Sequence, residues 1–249
     1  MNEYLIFRLY GPLSSWGDIA TGENRHSFSY PSKSAITGLI AAALGIKREE
    51  EEKHLELSDS INFGVKVWSR GTLLRDYHTI QTPPNKGKIT YSTRKDELRE
   101  KAELNTILSS RDYYTDALYD VSVWKRKGSL LLNEMEEALK SPRFPLYLGR
   151  KSCVIASPLF QQLVIAENLF VAFSTFEQNL KEKFEKSKVP YFYDLTSFQN
   201  EITEYIWENE SEAESHQILT RRDTVLSRKR WQFGERKEFY KSEKLLTSL

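Results

Sequence analysis

Apolar residues recur at the spacing of an α-helix between Pro31 and Gly45, and this is the strongest periodic signal in the chain. The residues on the apolar face are Ile36, Leu39, Ile40, Ala43 and Leu44. Positions i, i+3, i+4, i+7 and i+8 share one face of a helix, and a glycine such as Gly45 is a typical stop. A helix with a single apolar face must bury it against another layer, so the chain must supply a sheet or further helices.

Residue patterns typical of β-strands occur before and after this helix in the sequence. Residues 4–10 form a β-rich run, and apolar residues alternate with polar ones over residues 61–67 and 119–123, which predicts three strands. The second of these is expected to continue, after Gly71, through residues 73–79. A second helix is predicted from the apolar residues between Leu131 and Leu139.

A last strand is expected at residues 153–156 or 163–166. The resulting order of strand, helix, strand, insertion, strand, helix and strand predicts an α+β protein with a ferredoxin-like, RRM-like βαββαβ domain. We assign this domain to residues 1–166, with a long inserted β-hairpin or thumb at about residues 80–117. Residues 167–249 are expected to form a smaller extension packed on it, with an aromatic strand at 169–176 and a solvated acidic helix face or tail at 201–214.

Charge is balanced in total but not along the chain. The 249 residues include 36 basic and 35 acidic side chains, so net charge says nothing about a nucleic-acid partner. Residues 138–166 hold four cations and no acid, whereas residues 189–220 hold seven acids and no Lys or Arg. One face of the protein can therefore attract RNA while another repels it.

The single cysteine, Cys153, excludes an intrachain disulfide and makes a cysteine-based zinc site improbable, as expected of a cytoplasmic protein. We interpret Cys153 as a small buried residue. The longest weakly polar run, residues 35–46, is shorter than the roughly 20 residues of a membrane helix, and the first residues do not resemble a signal peptide. No metal site and no cofactor are predicted, because no acids recur at ligand spacing near a histidine.

A glycine followed by two cations and a hydroxyl stands at residues 147–152, and no acid lies nearby. The candidate RNA-binding residues of this glycine-rich loop are Tyr147, Gly149, Arg150, Lys151 and Ser152. Glycine allows a sharp turn that exposes N–H groups, while Arg, Lys and Ser supply phosphate contacts. The alternative is a solvated turn with chance basic residues. The loop lacks the spacing of a Walker A motif, and the sheet of the predicted fold offers a further surface for base stacking.

The first loop and the helix start form a second candidate. Its residues are Ser14, Trp16, Arg25, His26, Lys33 and Ser34. A helix N-terminus with a lysine and hydroxyls beside it is a natural phosphate site. Two alternatives stay open: Ser32 or Ser34 simply caps the helix, and Trp16 packs the loop onto the core instead of stacking on a base.

The third candidate lies where the insertion begins and ends. Its residues are Arg75, Tyr77 and His78 on the outgoing segment and Arg111 and Tyr113 on the returning one. Paired Arg, Tyr and His side chains can grip a single strand of RNA. Alternatively, Arg75 and Asp112 form an ion pair that fixes the base of the hairpin. A metal-independent ribonuclease would need His78 or His26 as its general base.

Four motifs resemble those of the CasD family and occur along the chain in the family's order. CasD proteins are subunits of the Cascade complexes in type I-E CRISPR systems and belong to the RAMP superfamily. The four motifs lie at residues 9–17, 31–46, 74–79 and 147–153, and residues 220–223 with Arg230, Phe233 and Arg236 add to the resemblance. The resemblance implies a thumb-like hairpin, although residues 80–109 match the family weakly. It places Gly149 to Ser152 on the family's glycine-rich loop, and Trp16, Lys33 and Ser34 on its first loop and helix start.

The resemblance also implies a function. A member of this family caps the 5′ handle of the CRISPR guide RNA, contacts a CasC-type backbone subunit and a CasA-type large subunit, and reaches target DNA through the complex. The motifs favour the non-catalytic kind of member over the related type I-C subunit that cuts repeat RNA. Two rivals remain, namely a metal-independent endoribonuclease that processes repeat RNA and a spacer that binds only protein.

Overall fold

The computed structural model describes most of the chain. The described residues are 1–18, 20, 22–84, 90–99, 104–128, 131–187, 202–209, 212, 214–227, 229–230 and 232–244. Lys86 and Lys88, the first cations of the predicted insertion, lie outside these residues, as does 189–201 of the acidic segment. Among the helices of the described residues, none is long and apolar enough to cross a membrane.

Five helices and eleven strands are present in the described part of the chain. The helices are α1 (Lys33–Leu44), α2 (Glu51–Ser60), α3 (Arg94–Glu97), α4 (Leu132–Lys140) and α5 (Leu169–Ser187). The first strands are β1 (Asn2–Tyr10), β2 (Leu13–Ser14), β3 (Asn24–Arg25), β4 (Ile61–Ser69), β5 (Thr72–Thr82) and β6 (Asn105–Thr115). The remaining strands are β7 (Leu118–Lys125), β8 (Gln162–Ala166), β9 (Ile202–Trp207), β10 (Gln217–Ser227) and β11 (Gln232–Lys244).

Seven strands form one sheet in the order β10-β11-β9-β4-β7-β1-β8, and every neighbouring pair is antiparallel. The strands predicted from alternation are confirmed as β1, β4 and β7, and the predicted helices as α1 and α4. Of the two positions considered for the following strand, residues 163–166 fall within β8. The protein is therefore a mixed α+β fold built on a large antiparallel sheet.

Helices cover both faces of the sheet. Leu5 and Phe7 of β1 belong to an apolar cluster with α1 and α4, whereas Tyr4 and Ile6 belong to a second cluster with α5. Residues that alternate along a strand point to opposite faces, so β1 contributes to two cores at once. The expectation that bases stack on an open sheet face is wrong for the central strands, because α5 occupies that face.

A separate hairpin leaves this sheet at Gly71. Strands β5 and β6 pair from Thr72 opposite Thr115 to Thr82 opposite Asn105, and β2 and β3 pair with β6. Residues 73–79 therefore do not extend the strand before them, and the hairpin begins nearer the sheet than the predicted residue 80. Gly71 has φ +73°, and a Cβ there would lie 1.9 Å from the Thr115 carbonyl oxygen. Only glycine permits this tight exit.

Two expectations for the C-terminal part are wrong. The aromatic residues at 169–176 begin helix α5 instead of a strand, since Leu169, Ala172, Phe173 and Phe176 recur at helical spacing and are buried. The acidic stretch at 201–214 contains strand β9 instead of a solvated helix face.

Strands β9, β10 and β11 continue the sheet of the first 166 residues through the pairing of β9 with β4. The division of the chain at residue 166 stays a prediction.

Candidate nucleic-acid interface

Three segments that are distant in sequence meet at one end of the molecule. The Ser15 backbone N–H donates to the Leu148 carbonyl oxygen at 3.0 Å, and the Ser15 hydroxyl donates to the Asp112 carbonyl oxygen at 2.9 Å. Ser15 thereby joins the first loop to the glycine-rich loop and to the hairpin base. The structure brings the three candidates proposed from the sequence into contact with one another.

The glycine-rich loop is a tight turn that contacts the first loop. The Leu148 N–H donates to the Cys153 carbonyl oxygen at 2.8 Å, and the Cys153 N–H donates to the Arg150 carbonyl oxygen at 2.8 Å. Gly149 has φ +87°, and a Cβ there would lie 1.8 Å from the Ser15 carbonyl oxygen. A side chain at residue 149 would therefore suffer both backbone strain and a clash. Lys151 and Ser152 project from this turn and are exposed.

Arg150 connects the glycine-rich loop to both other segments. Its guanidinium Nη2 donates to the Arg25 carbonyl oxygen at 3.3 Å, and its Cζ lies 4.8 Å from the centroid of the Tyr113 ring. Tyr113 is only 8% exposed, so its ring supports Arg150 instead of offering a face to a base. Arg25 is exposed and donates through Nη1 to the Gly22 carbonyl oxygen at 2.7 Å.

The base of the hairpin is held by the buried carboxylate of Asp112. Arg75 donates to it from Nε at 2.8 Å and from Nη2 at 3.1 Å, and His26 Nδ1 lies 3.0 Å from Oδ2. The hydrogen bonds from Arg75, and then that from His26, hold the pKa of Asp112 below its usual value although burial opposes them. The predicted alternative for Arg75, an ion pair with Asp112, is confirmed.

The remaining hairpin residues lie further along the strands. Tyr77 is 61% exposed, and His78 Nε2 bonds to the Asp76 carboxylate. Arg111 is half-buried and stands opposite Arg25 in the pairing of β3 with β6. His26 contacts Asp112, whereas His78 stands opposite Ser109. The two histidines therefore occupy different positions along the hairpin.

Two candidates of the first loop are buried, and the structure favours the packing alternative for them. Trp16 is 4% exposed, and its indole N–H donates to the Tyr119 hydroxyl at 3.3 Å. Its ring meets that of Tyr119 edge to face, with centroids 5.8 Å apart. Ser14 is 1% exposed and donates to the Tyr114 carbonyl oxygen at 3.5 Å. Trp16 therefore pins the first loop to the sheet, which corrects the prediction that it stacks on a base.

The predicted phosphate site at the helix start is also corrected. Ser32 caps α1 by accepting from the Ala35 N–H at 3.1 Å, and Ser34 bonds to the Ser32 hydroxyl at 3.1 Å. Lys33 is 4% exposed, and its Nζ donates to Glu208 at 2.7 Å and to the Ile61 carbonyl oxygen at 2.8 Å. Burial lowers the pKa of Lys33, and the ion pair with Glu208 opposes that shift. A lysine engaged in this way does not contact a phosphate in solvent.

Lys33 belongs to a buried cluster of six charges, which we call the buried ionic cluster. Its members are Lys33, Glu208, Arg221, Asp223, Arg236 and Glu238. Arg236 donates to Asp223 at 2.6 and 2.9 Å, and the Lys33 backbone N–H donates to the same carboxylate at 2.8 Å. Three cations face three acids, so the cluster is balanced and ties the start of α1 to β10 and β11.

Two adjoining clefts flank this end of the molecule. The first, of about 310 Å³, is lined by residues that include Ser34, Tyr147, Gly149 and Arg150. The second, of about 660 Å³, lies between the first loop and the strands β10 and β11. Both are lined by Phe233 and Ser34.

The candidate residues proposed from the sequence omitted the lining residues of the second cleft on β10 and β11. They are Arg221, Arg222, Asp223, Leu226, Gln232 and Phe233. The available signal was the motif at residues 220–223 together with Phe233. Within the described residues, no group of three or more His, Cys, Asp or Glu side chains is arranged to hold a metal ion.

The α+β fold described above is that of a CRISPR-associated protein. The family model described as CRISPR-associated protein (Cas_Cas5) matches residues 4–238, and the chain belongs to this family. Over 169 residues the chain is 34% identical to the CRISPR system Cascade subunit CasD of Escherichia coli strain K12. That alignment covers 64% of this chain and 70% of the relative.

Solved structures share the fold. A chain of a CRISPR RNA-guided surveillance complex matches 97% of this chain and 90% of its own length, with a TM-score of 0.62 and 23% identity. A crystal structure of a Cas protein matches 97% of this chain and 94% of its own length, with a TM-score of 0.55 and 26% identity. The architecture described above is therefore found in other CRISPR-associated proteins.

Proposed function

We propose that this protein is a subunit of a cytoplasmic CRISPR Cascade surveillance complex, serving antiviral defence, and that it binds and caps the 5′ handle of the guide RNA without cutting it. The observation that carries the proposal is the meeting of the glycine-rich loop, the first loop and the hairpin base. At this point Lys151 and Ser152 project beside Arg25 and Arg150. Membership of the family and the likeness to CasD support the same role.

The chemistry of this end suits an RNA backbone. Arginine, lysine and serine side chains are among the groups that contact phosphates in proteins, and such contacts fix the position of the nucleic acid. Arg150 is held in place by Tyr113 and Arg25, so little side-chain freedom is lost when it binds a phosphate. Lys151 and Ser152 extend from a turn that the first loop supports. The RNA contacts predicted for Trp16, Lys33 and Tyr113 are not part of this proposal, because these side chains are buried.

The hairpin suits contacts with other subunits. Apolar side chains on both of its strands are exposed, namely Leu73, Leu74, Tyr77, Ile107 and Leu108. Leu73, Tyr77 and Leu108 lie on one face of the hairpin, and Leu74 and Ile107 lie on the other. Each face therefore presents exposed apolar side chains that a partner subunit can cover. We propose that CasC-type backbone and CasA-type large subunits assemble with this protein, and that target DNA is reached through the complex.

The ferredoxin-like class belongs to this proposal as well. Within the large sheet the strands β4, β7, β1 and β8 are neighbours in that order. Counted along the chain as first to fourth strand, their spatial order is 2-3-1-4, with α1 after the first and α4 after the third. This order supports a βαββαβ unit carrying the β5–β6 hairpin between its second and third strands.

A metal-independent endoribonuclease remains the second candidate. The observation that favours it is the pairing of His26, whose side chain is 44% exposed, with Asp112 beside Arg75. A carboxylate that orients a histidine, with a cation nearby, is a common arrangement for general base catalysis. His78 pairs in a similar way with Asp76.

The test uses the protein assembled with its partner subunits and end-labelled CRISPR repeat RNA in EDTA. The proposal expects retained, intact RNA, and it expects ultraviolet crosslinks from the RNA to residues 147–152. Cleavage at one position that disappears in His26→Ala or His78→Ala would instead identify a nuclease. Assembly without any crosslink from this chain to RNA would identify a spacer that binds only protein.

A further inference from the structure

The second cleft, which we call the C-terminal cleft, has the size and chemistry of a small-ligand site. Its volume of about 660 Å³ falls within the roughly 300–1,000 Å³ of typical ligand pockets. Phe28, Leu226 and Phe233 provide apolar walls, and Arg221 and Arg222 provide cations. Flat aromatic surfaces beside guanidinium groups suit a planar ring that carries hydrogen-bond acceptors.

Arg221 forms a buried cationic wall of this cleft. Its guanidinium lies 3.9 Å from the centroid of the Phe28 ring, and its side chain is 3% exposed. Nη2 donates to the Tyr30 carbonyl oxygen at 3.3 Å. Nε and Nη1 have no hydrogen-bond partner among the described residues, and carboxylate oxygens lie 3.8 and 3.7 Å from them. Both donors are buried beside these carboxylates, so Arg221 contributes its charge, and not hydrogen bonds, to the cleft.

The acids near the cleft do not exclude an anionic nucleic acid. Asp223 is engaged by Arg236 and by the Lys33 backbone N–H within the buried ionic cluster. Asp18 is exposed at the rim, and Arg222 is exposed on β10. The balance of charge at the entrance therefore permits a phosphate backbone to pass while a base enters the cleft.

The C-terminal cleft is continuous with the candidate interface. It shares lining residues with the cleft that contains Gly149 and Arg150, namely Trp16, Gly17, Ser32, Ser34 and Phe233. A strand whose phosphates contact the glycine-rich loop therefore runs beside the entrance of the C-terminal cleft. This continuity identifies RNA, and not an unrelated small molecule, as the occupant.

We propose that the C-terminal cleft receives one extruded nucleobase of the bound RNA, against Phe233 at the junction of the two clefts. This inference rests on the proposed function, because the RNA backbone must lie on the glycine-rich loop. The base leaves the stack of its neighbours and packs against the apolar walls of the cleft. Stacking accepts any base, so this contact adds affinity and register with little sequence preference.

The test uses repeat RNAs that each carry a single 5-iodouridine at successive positions of the 5′ handle. Each RNA is bound to the assembled complex and irradiated, and the crosslinked peptide is identified by mass spectrometry. We expect one position to crosslink to Phe233 or Phe28. Phe233→Ala should abolish that crosslink and weaken RNA binding by about 5- to 150-fold, the range of a lost base–aromatic stack.

Two further variants sharpen this test. Phe233→Tyr keeps a flat ring and should retain the crosslink and the affinity. Phe144→Ala removes an aromatic side chain that is 40% exposed and lines neither cleft, and it should change neither readout. Retained RNA that crosslinks to the glycine-rich loop but to no residue of the C-terminal cleft would overturn this inference alone. Loss of all RNA contact with this chain would overturn the proposed function itself.

Discussion

The guanidinium of Arg150 lies over the ring of Tyr113, with its Cζ 4.8 Å from the ring centroid. This contact joins the glycine-rich loop to the returning strand of the hairpin, next to the Asp112 that holds Arg75 and His26. A cation over an aromatic face gains about 0.5–2 kcal/mol depending on its solvation. Arg150 therefore has a structural role that Lys151, its exposed neighbour, does not share, and substitutions at the two residues should differ.

Lys151→Ala should weaken RNA binding mainly through the loss of one phosphate contact. For single-stranded RNA, each such contact contributes about 0.7 to the slope of log K against log salt concentration, and the slope should fall by that amount. Arg150→Ala should lower the slope similarly and also lower the thermal stability, because Tyr113 and the Arg25 carbonyl group lose their partner. Filter binding across a salt series, with a parallel melting curve, measures both effects.

The matched control for these variants is Lys140→Ala. Lys140 lies on α4 with a side chain that is 63% exposed and an ion pair to Glu137. Its removal subtracts the same charge from the protein, so a purely global charge effect would change the salt slope equally. An unchanged slope in Lys151→Ala would contradict the assignment of the glycine-rich loop.

Gly149→Ala should destabilise the protein more than Gly128→Ala. Both glycines have positive φ, +87° and +83°, so both substitutions carry the strain of a left-handed residue, about 1–2 kcal/mol. Only at residue 149 would the new Cβ clash with backbone, at 1.8 Å from the Ser15 carbonyl oxygen. At residue 128 the nearest atom is the Ser60 Cβ at 3.9 Å. Urea unfolding of the two variants isolates the clash, and equal losses would show that the loops are not in contact.

The hairpin base should loosen in acid because of Asp112. Hydrogen bonds from Arg75 hold its folded-state pKa below the ordinary value, so its contribution to stability is present above about pH 4. That contribution is lost as the pH falls through the lowered pKa. Hydrogen exchange of the β6 amides between pH 5 and pH 2 should reveal the opening.

The variant Asp112→Asn separates the contribution of the Asp112 carboxyl to acid unfolding from the contributions of the other acids. Glu177 and Glu204 also have lowered pKa values and will contribute to acid unfolding in both proteins. The difference between wild type and variant should shrink as the pH falls. A difference that stays constant from pH 5 to pH 2 would mean that the Asp112 carboxylate does not hold the hairpin.

Lys33→Met should destabilise the fold by about 3–5 kcal/mol, because it leaves the buried Glu208 without its close partner. Arg236 Nη1 lies 3.9 Å from Glu208 and replaces that partner poorly. The double variant Lys33→Met with Glu208→Leu should recover much of the loss, since it removes both charges. Lys140→Met, at an exposed pair, should leave stability nearly unchanged. Denaturant unfolding measures all three, and a small loss in the single variant would mean that the buried ionic cluster is open to water.

The sequence predicted the parts of the fold that local patterns determine. Helix α1 follows from the spacing of Ile36, Leu39 and Ile40, and Ser32 and Gly45 bound it as helix caps usually do. The turn at Gly149 follows from a glycine beside cations. These signals lie within a few residues of one another, so no distant partner alters them.

The roles of Trp16 and Lys33 were not predictable in the same way. Trp16 is an amphipathic residue in a loop, and Lys33 is a charged residue at the start of a helix. Side chains at such positions are usually exposed. Their burial depends on Tyr119 and Glu208, which are distant in sequence. The short aromatic run that begins α5 was ambiguous for the related reason that apolar residues suit a buried strand and a buried helix equally. The C-terminal cleft joins residues from both ends of the chain.

The pairing of β4 with β9 has a consequence for how the chain folds during synthesis. Until residues 202–207 leave the ribosome, the β4 edge of the growing sheet has no neighbour on that side. An unpaired, apolar strand edge is a site of aggregation and of pairing with the wrong chain. Fragments that end near residue 166 should therefore accumulate in inclusion bodies, and the protein should depend on chaperones until its last strands emerge.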